Sequence, residues 1–232
     1  RAALAATDLL PSFGATEIER VTIGAEGRRI PSGFDYAAPA YLVLFMFINT
    51  LVAAWGMPVD RAAGLTRRTV AAPVRAGWVW AGEWLYRLAV ALLQAGLIVV
   101  IGGLFFGVSW GDPAAVAAIV VLFALASTGA AMLLGSWARS EAQVTSLAPP
   151  LGIGLGMLGG CMWPLEIVGP TMRAIGHATP HAWAVDAFIE VVGGGATLVD
   201  VGPQLAALAA FAVGLLGVAL IVFTSRVRRA SA

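Results

Sequence analysis

The 232-residue chain has no lysine, a single cysteine and few charges of either sign, and each shortage closes off a class of function. All 14 basic residues are arginine. A P-loop needs a lysine to reach the terminal phosphates of a nucleotide, so a motor of that kind is not encoded here. The lone Cys161 excludes an internal disulfide framework, and its glycine- and methionine-rich setting gives no sign of a reactive thiol. Charged residues make up 12% of the chain, about half the ~25% of a soluble domain. That is too little to coat a water-facing globule. A net charge of +1 says nothing about nucleic acid, but basic residues do not cluster on any soluble module, so no nucleic-acid partner is expected. Neither a signal peptide nor a lipidation motif is visible.

What the chain has instead is apolar length. Hydrophobic residues make up 59%, the mean hydropathy is +0.87, and glycine and alanine are abundant. A membrane-spanning helix needs about 20 apolar residues. Five stretches qualify, near 37–57, 82–108, 114–137, 142–163 and 204–224. The expected fold is an all-α, multi-pass membrane protein. Residues 164–187 are apolar but broken at Pro170 and Pro180. They suit re-entrant or interfacial helices with their ends buried in protein.

An odd number of spans puts the two ends on opposite sides. One side collects Arg61, Arg67, Arg68, Arg75, Arg87, Arg139, Arg226, Arg228 and Arg229; the other has Arg20, Arg28, Arg29 and Arg173. The positive-inside rule makes the first side cytosolic. The expected location is the plasma membrane, with the C-terminus in the cytosol. Residues 1–36 would lie outside, with a short strand through Ile18, Val21 and Ile23. The chain begins with Arg rather than Met, and this segment is expected to be the end of a larger exoplasmic domain preceded by a further span.

Two stretches resemble a family. One is DRAAGLTRRTVAAPVRAGWVWAGEWL, in which Asp60, Arg61, Gly64 and Pro73 fall in register with a loop pattern of ATP-binding-cassette exporter permeases of the type-2 superfamily. The other, GGCMWPLEIVGPTMRAIGHATPHAWAVDAF, is similar to that family's distal Gly-x-x-x-Pro and re-entrant signature. Ala62, Leu65 and Glu83 depart from the family pattern. The resemblance implies a cytosolic coupling helix within 58–78, carried by Asp60, Arg61, Gly64, Arg67, Arg68 and Pro73. That helix would dock on a separate ATP-binding subunit. It also implies a second permease copy or paralogue, ATP and Mg bound by the partner alone, and a drug- or lipid-like substrate moved outward. Read without the resemblance, the same arginines serve equally well as a topology anchor.

Polar residues inside the spans are the remaining candidates, because ionisable groups in lipid face protein or water. Glu83, Arg87 and Gln94 share one helix face, as an interfacial ion pair or as the border of a transport path. Asn49, Thr50, Ser127 and Thr128 either line a cavity or bond to their own backbone. Gly152, Gly156 and Gly160 recur every four residues, the spacing that lets two helices approach closely, and Pro149 and Pro150 are expected to kink that span. The resemblance implies that the segment bounded by Pro164 and Pro180 closes the outer end of the pathway. A metal site is not expected at His177 and His181, since Pro180 spoils their helical spacing. An alternative function, an intramembrane enzyme, would place His177, His181, Asp186 and Glu190 in one outer-leaflet site.

Overall fold

The computed structural model describes residues 22–23, 29–30, 33–65, 68 and 76–231. Two short strands, β1 Thr22–Ile23 and β2 Arg29–Ile30, pair antiparallel with Thr22 opposite Ile30. Of the expected strand residues only Ile23 falls here; Ile18 and Val21 lie outside the described residues.

The rest is helical. The first helix, α1, is Phe34–Val52; a 3-10 turn at Ala53–Trp55 leads into α2, Gly56–Ala62. Pro58 explains the tightening, since its ring removes one hydrogen bond of the regular ladder and crowds the preceding turn. Next come α3, Ala76–Phe106, and α4, Pro113–Trp137. Asp112 caps α4, accepting the Ala114 N–H at 3.0 Å, and Pro113 supplies the pre-set first turn. Ser140 starts α5, Glu141–Leu158, and the Gln143 side chain reaches back to the Arg139 N–H at 2.7 Å. A 3-10 turn at Leu165–Ile167, α6 at Pro170–Gly176 and α7 at Pro180–Gly194 form the broken segment. The chain closes with α8, Gly202–Ser231.

Four of these runs are long and apolar enough to cross a membrane: Phe34–Ala62, Gly77–Phe106, Pro113–Trp137 and Gly202–Arg226. The protein is therefore an all-helical, multi-pass membrane protein. The remaining expected span, 142–163, appears as the 18-residue α5. Its polar first turns and its proline pair lower its hydropathy below that of the other four. Despite Pro149 and Pro150, α5 is one continuous helix. Its buried stripe of Val144, Ala148, Gly152 and Gly156 runs past them unbroken, so packing on α1 holds what the prolines would disrupt.

Helices α1 and α4 form the centre, with 56% of each apolar window buried against 17% for α3 and α8. The largest helix contact is α4 on α8, while α1 touches α3, α4, α5 and α7. Leu42, Met46, Phe47, Ile119, Phe123 and Phe188 fill the space between them. A bilayer gives such helices little hydrophobic drive to associate, so close packing and backbone satisfaction carry the fold.

Asp112 also takes the Leu198 N–H at 3.0 Å, tying the start of α4 to the α7–α8 loop. Replacing it with Ala removes a helix cap and this cross-link together. We expect Asp112→Ala to lower the thermal midpoint of the purified protein in detergent, by about 1 kcal/mol or more of stability. Asp112→Asn, which keeps an acceptor, should lose distinctly less.

Candidate functional site

The basic loop is built on two arms. Arg61 lies on α2, the leading arm, half-buried. Its Nη2 donates to the carbonyls of Gly135 at 2.9 Å and Ala138 at 2.5 Å, at the C-terminus of α4. Arg226 on α8 reaches the same end, donating to the Trp137 carbonyl at 2.8 Å. The last carbonyls of a helix have no partner within it and carry the negative end of the helix dipole, so a guanidinium suits them well. Beyond α2 the chain turns at Gly64, whose φ of +72° is a left-handed conformation that favours glycine. A Cβ there would meet nothing within 4 Å, so the requirement is in the backbone and not in packing. Arg68 is exposed and Asp60 half-buried; Arg67 and Pro73 lie outside the described residues.

The trailing arm is the start of α3. Arg87 there is buried, 3% exposed. It pairs with Glu83 at 2.5 Å, donates to the Glu83 carbonyl at 2.8 Å, and donates to the Ala53 carbonyl at 3.3 Å, where α1 ends. Thus Glu83 and Arg87 do pair, and Arg87 also joins α3 to α1. Gln94 is half-buried further along the same helix.

The hydroxyls inside the spans bond to their own backbone. Thr50 donates to the Met46 carbonyl, Ser127 to Phe123 and Thr128 to Ala124, at 2.5, 2.8 and 2.8 Å. Thr128 additionally accepts the Trp84 indole N–H at 3.2 Å, a cross-link between α3 and α4 that spacing alone did not reveal. Asn49 is exposed. None of these residues lines the apolar recess of about 470 Å³ between α1, α4, α5 and α8, whose walls include Phe47, Leu51, Leu134, Leu151, Leu155 and Leu215.

The glycine ladder finds its partner within the chain. A Cβ at Gly152 would collide with Ile48, and one at Gly156 with Leu44, both on α1. Gly160 has φ +84° and leaves the ladder for a turn against Leu165; the Tyr36 hydroxyl donates to its carbonyl at 2.6 Å. Nothing in the sequence marked Tyr36 for this contact, since its acceptor is a backbone carbonyl 124 residues away.

The helices beyond Pro164 form a corner. Pro180 opens α7, and His177 Nε2 lies 2.9 Å from Asp186 Oδ2 while its Nδ1 lies 2.8 Å from the Arg173 carbonyl. A carbonyl only accepts, so Nδ1 is the donor in the contact with Arg173. Trp183 closes the corner by donating to the His177 carbonyl at 2.8 Å. His181 does not join. It is fully buried, its ring edge-on to Phe47 and Phe123 at centroid distances of 4.4 and 5.3 Å. The four residues of the enzyme alternative are therefore split, with His181 about 140° round α7 from Asp186. Glu190 is half-buried near the far end of α7. Among the described residues no three of His, Cys, Asp or Glu are grouped to hold a metal. At the same end of the molecule Asp200 accepts from the Thr197 amide and hydroxyl, which holds its carboxyl below the usual range.

A tight α1–α5 seam has a mechanical signature. We expect Gly156→Leu to reduce the yield of folded protein or its activity more than Leu155→Ala does, because only the first drives two backbones apart. Equal, mild effects on detergent stability would place this face against lipid.

Comparison with known proteins gives a family and a relative. The pattern of the family described as ABC-2 type transporter matches residues 16–192. The linearmycin resistance permease protein LnrN of Bacillus subtilis (strain 168) is 27% identical over 205 residues, covering 88% of this chain and 52% of that protein. The chain thus spans about half the length of the curated relative it matches. No solved structure matches.

Proposed function

Because this chain belongs to the ABC-2 type transporter family, we propose that it is the membrane subunit of an exporter that moves an amphipathic or hydrophobic compound outward. ATP hydrolysis, with its Mg, would belong to a separate subunit, and two permease copies or paralogues would enclose the path. The observation that carries this reading is the basic loop between two spanning helices. Both its arms are keyed to helix ends inside the membrane domain, and it lies within the family-matched stretch. A loop that served only as an anchor would not need such fixed arms.

In this mechanism the motor subunit grips the loop at residues 63–75, and its closure on ATP moves α2 and the start of α3. The apolar recess beside α5 supports a cargo with a hydrophobic body. The relative's printed name, a linearmycin resistance permease, fits the same class of transport. The loop side is taken as cytosolic, and the corner of α6 and α7 as the outer closure. Residues 1–36 would then belong to an exoplasmic domain.

Orientation has a direct check. After Cys161 is replaced, cysteines at Ser109 and Thr197 should react with an impermeant thiol reagent in intact cells. A cysteine at Thr69 should not. Labelling at Thr69 from outside would overturn the orientation and the coupling role with it.

The function itself is tested by co-expressing the full-length protein with a candidate ATP-hydrolysing subunit. The two should co-purify, and permease-dependent hydrolysis should fall when Arg67 and Arg68 are both changed to Glu while membrane insertion is kept. Each exposed charge contributes only about 1 kcal/mol or less, so the double reversal is read in hydrolysis as well as in association. Unchanged hydrolysis would reduce the loop to a topology anchor.

A further inference from the structure

Arg61 was expected at the docking surface, yet its guanidinium points inward. It spans two carbonyls of the last turn of α4, at 2.9 and 2.5 Å, from a helix that ends at the loop. Directly membrane-ward, Met57 of α2 packs with Met132 of α4 and with Ala219 and Phe223 of α8. A Cβ on Gly135 would stand within 3.0 Å of the Ala54 carbonyl oxygen, so the two backbones are nearly in contact there. Helix α4 in turn makes its largest contact with α8.

We infer that Arg61 is a positioning residue for transport: it straps the leading arm of the loop to α4, so that displacement of the loop is delivered to the α4–α8 pair. This rests on the coupling role proposed above and changes the part Arg61 plays in it. The motor subunit touches the stretch after Gly64, where Leu65 and Arg68 are exposed; Arg61 passes the motion on. The geometry distinguishes it from Arg226, which caps the same helix end but comes from α8 and not from the arm of the loop. Arg226 secures a helix end, whereas Arg61 joins two parts that must move together. Two hydrogen bonds from one planar group fix direction as well as distance, which a single point charge on a flexible stem does not. Arg87 makes the matching connection on the trailing arm, to the end of α1. The two arms are thus attached to different helices, and a tilt of the loop drives α1 and α4 differently.

The test uses the full-length permease in nanodiscs, Cys161 replaced, with spin labels at Ala63 on the arm and at the exposed Val121 on α4. Its distance distribution is measured alone, with the ATP-hydrolysing subunit, and after vanadate trapping. The wild type should give one narrow distribution that trapping does not shift, because arm and helix move as one. Arg61→Met should broaden it in the permease alone and shift it on trapping. Arg226→Met should leave it narrow and unshifted. Arg61→Lys, which keeps the charge and one donor set, should broaden it less and serves if the methionine variant fails to insert. A narrow distribution in both Arg61 variants would overturn the strap, and equal broadening in Arg226→Met would reduce Arg61 to an end cap. If no ATP-hydrolysing subunit binds the wild type, the coupling role fails on its own, while the permease-alone distances still decide whether the strap exists.

Discussion

Inside a bilayer a backbone carbonyl has no water to turn to, and the arrangement of this protein follows from where its helix ends find partners. At one end of the molecule the answer is arginine: Arg61 and Arg226 on the end of α4, and Arg87 on the end of α1. At the other end the bare groups are amides, and the answer is aspartate. Asp112 serves Ala114 and Leu198, Asp35 serves Ser109, and Asp200 serves Thr197. These charges are therefore matched to the backbone groups they serve at the two ends of the bundle. Among the described residues Arg61, Arg87, Arg226, Asp35, Asp112 and Asp200 each serve a backbone group at or beside a helix end.

That sorting explains how much could be read in advance. Four of the five expected spanning stretches were legible because lipid leaves only one kind of backbone and length fixes its extent. Length does not give the direction in which a guanidinium points, because carbonyl acceptors have no letter in the sequence. Arg61 looked like a docking residue and is bonded inward for this reason. Tyr36, bonded to the Gly160 carbonyl, was missed for the same one. Glu83 and Arg87 were legible as a pair because both partners are side chains four residues apart, and only the third contact, to Ala53, was hidden.

The proline pair in α5 shows a local preference overruled by packing. Proline in a helix interior costs about 3 kcal/mol, and two in succession read as a break. They fall beside the face that packs on α1, so the helix runs through. The histidines show the reverse limit. Four residues apart in sequence, they stand in unrelated settings, because Pro180 restarts the helix between them. One is held in the polar corner with Asp186, and the other is enclosed by Phe47 and Phe123. Proximity along the chain carried no information about proximity in space.

The seam between α1 and α5 has a further property. The face that α5 turns to α1 has Ala148, Gly152 and Gly156 at four-residue steps, with little side chain to interlock. The hollows left by the glycines are filled from the other side: a Cβ at Gly152 would collide with Ile48 and one at Gly156 with Leu44. A displacement of one step, about 6 Å along the axis, would bring Ala148 to the place of Gly152 and set its Cβ against Ile48. The seam therefore has a single register, and α5 sits on α1 like a key in its own lock.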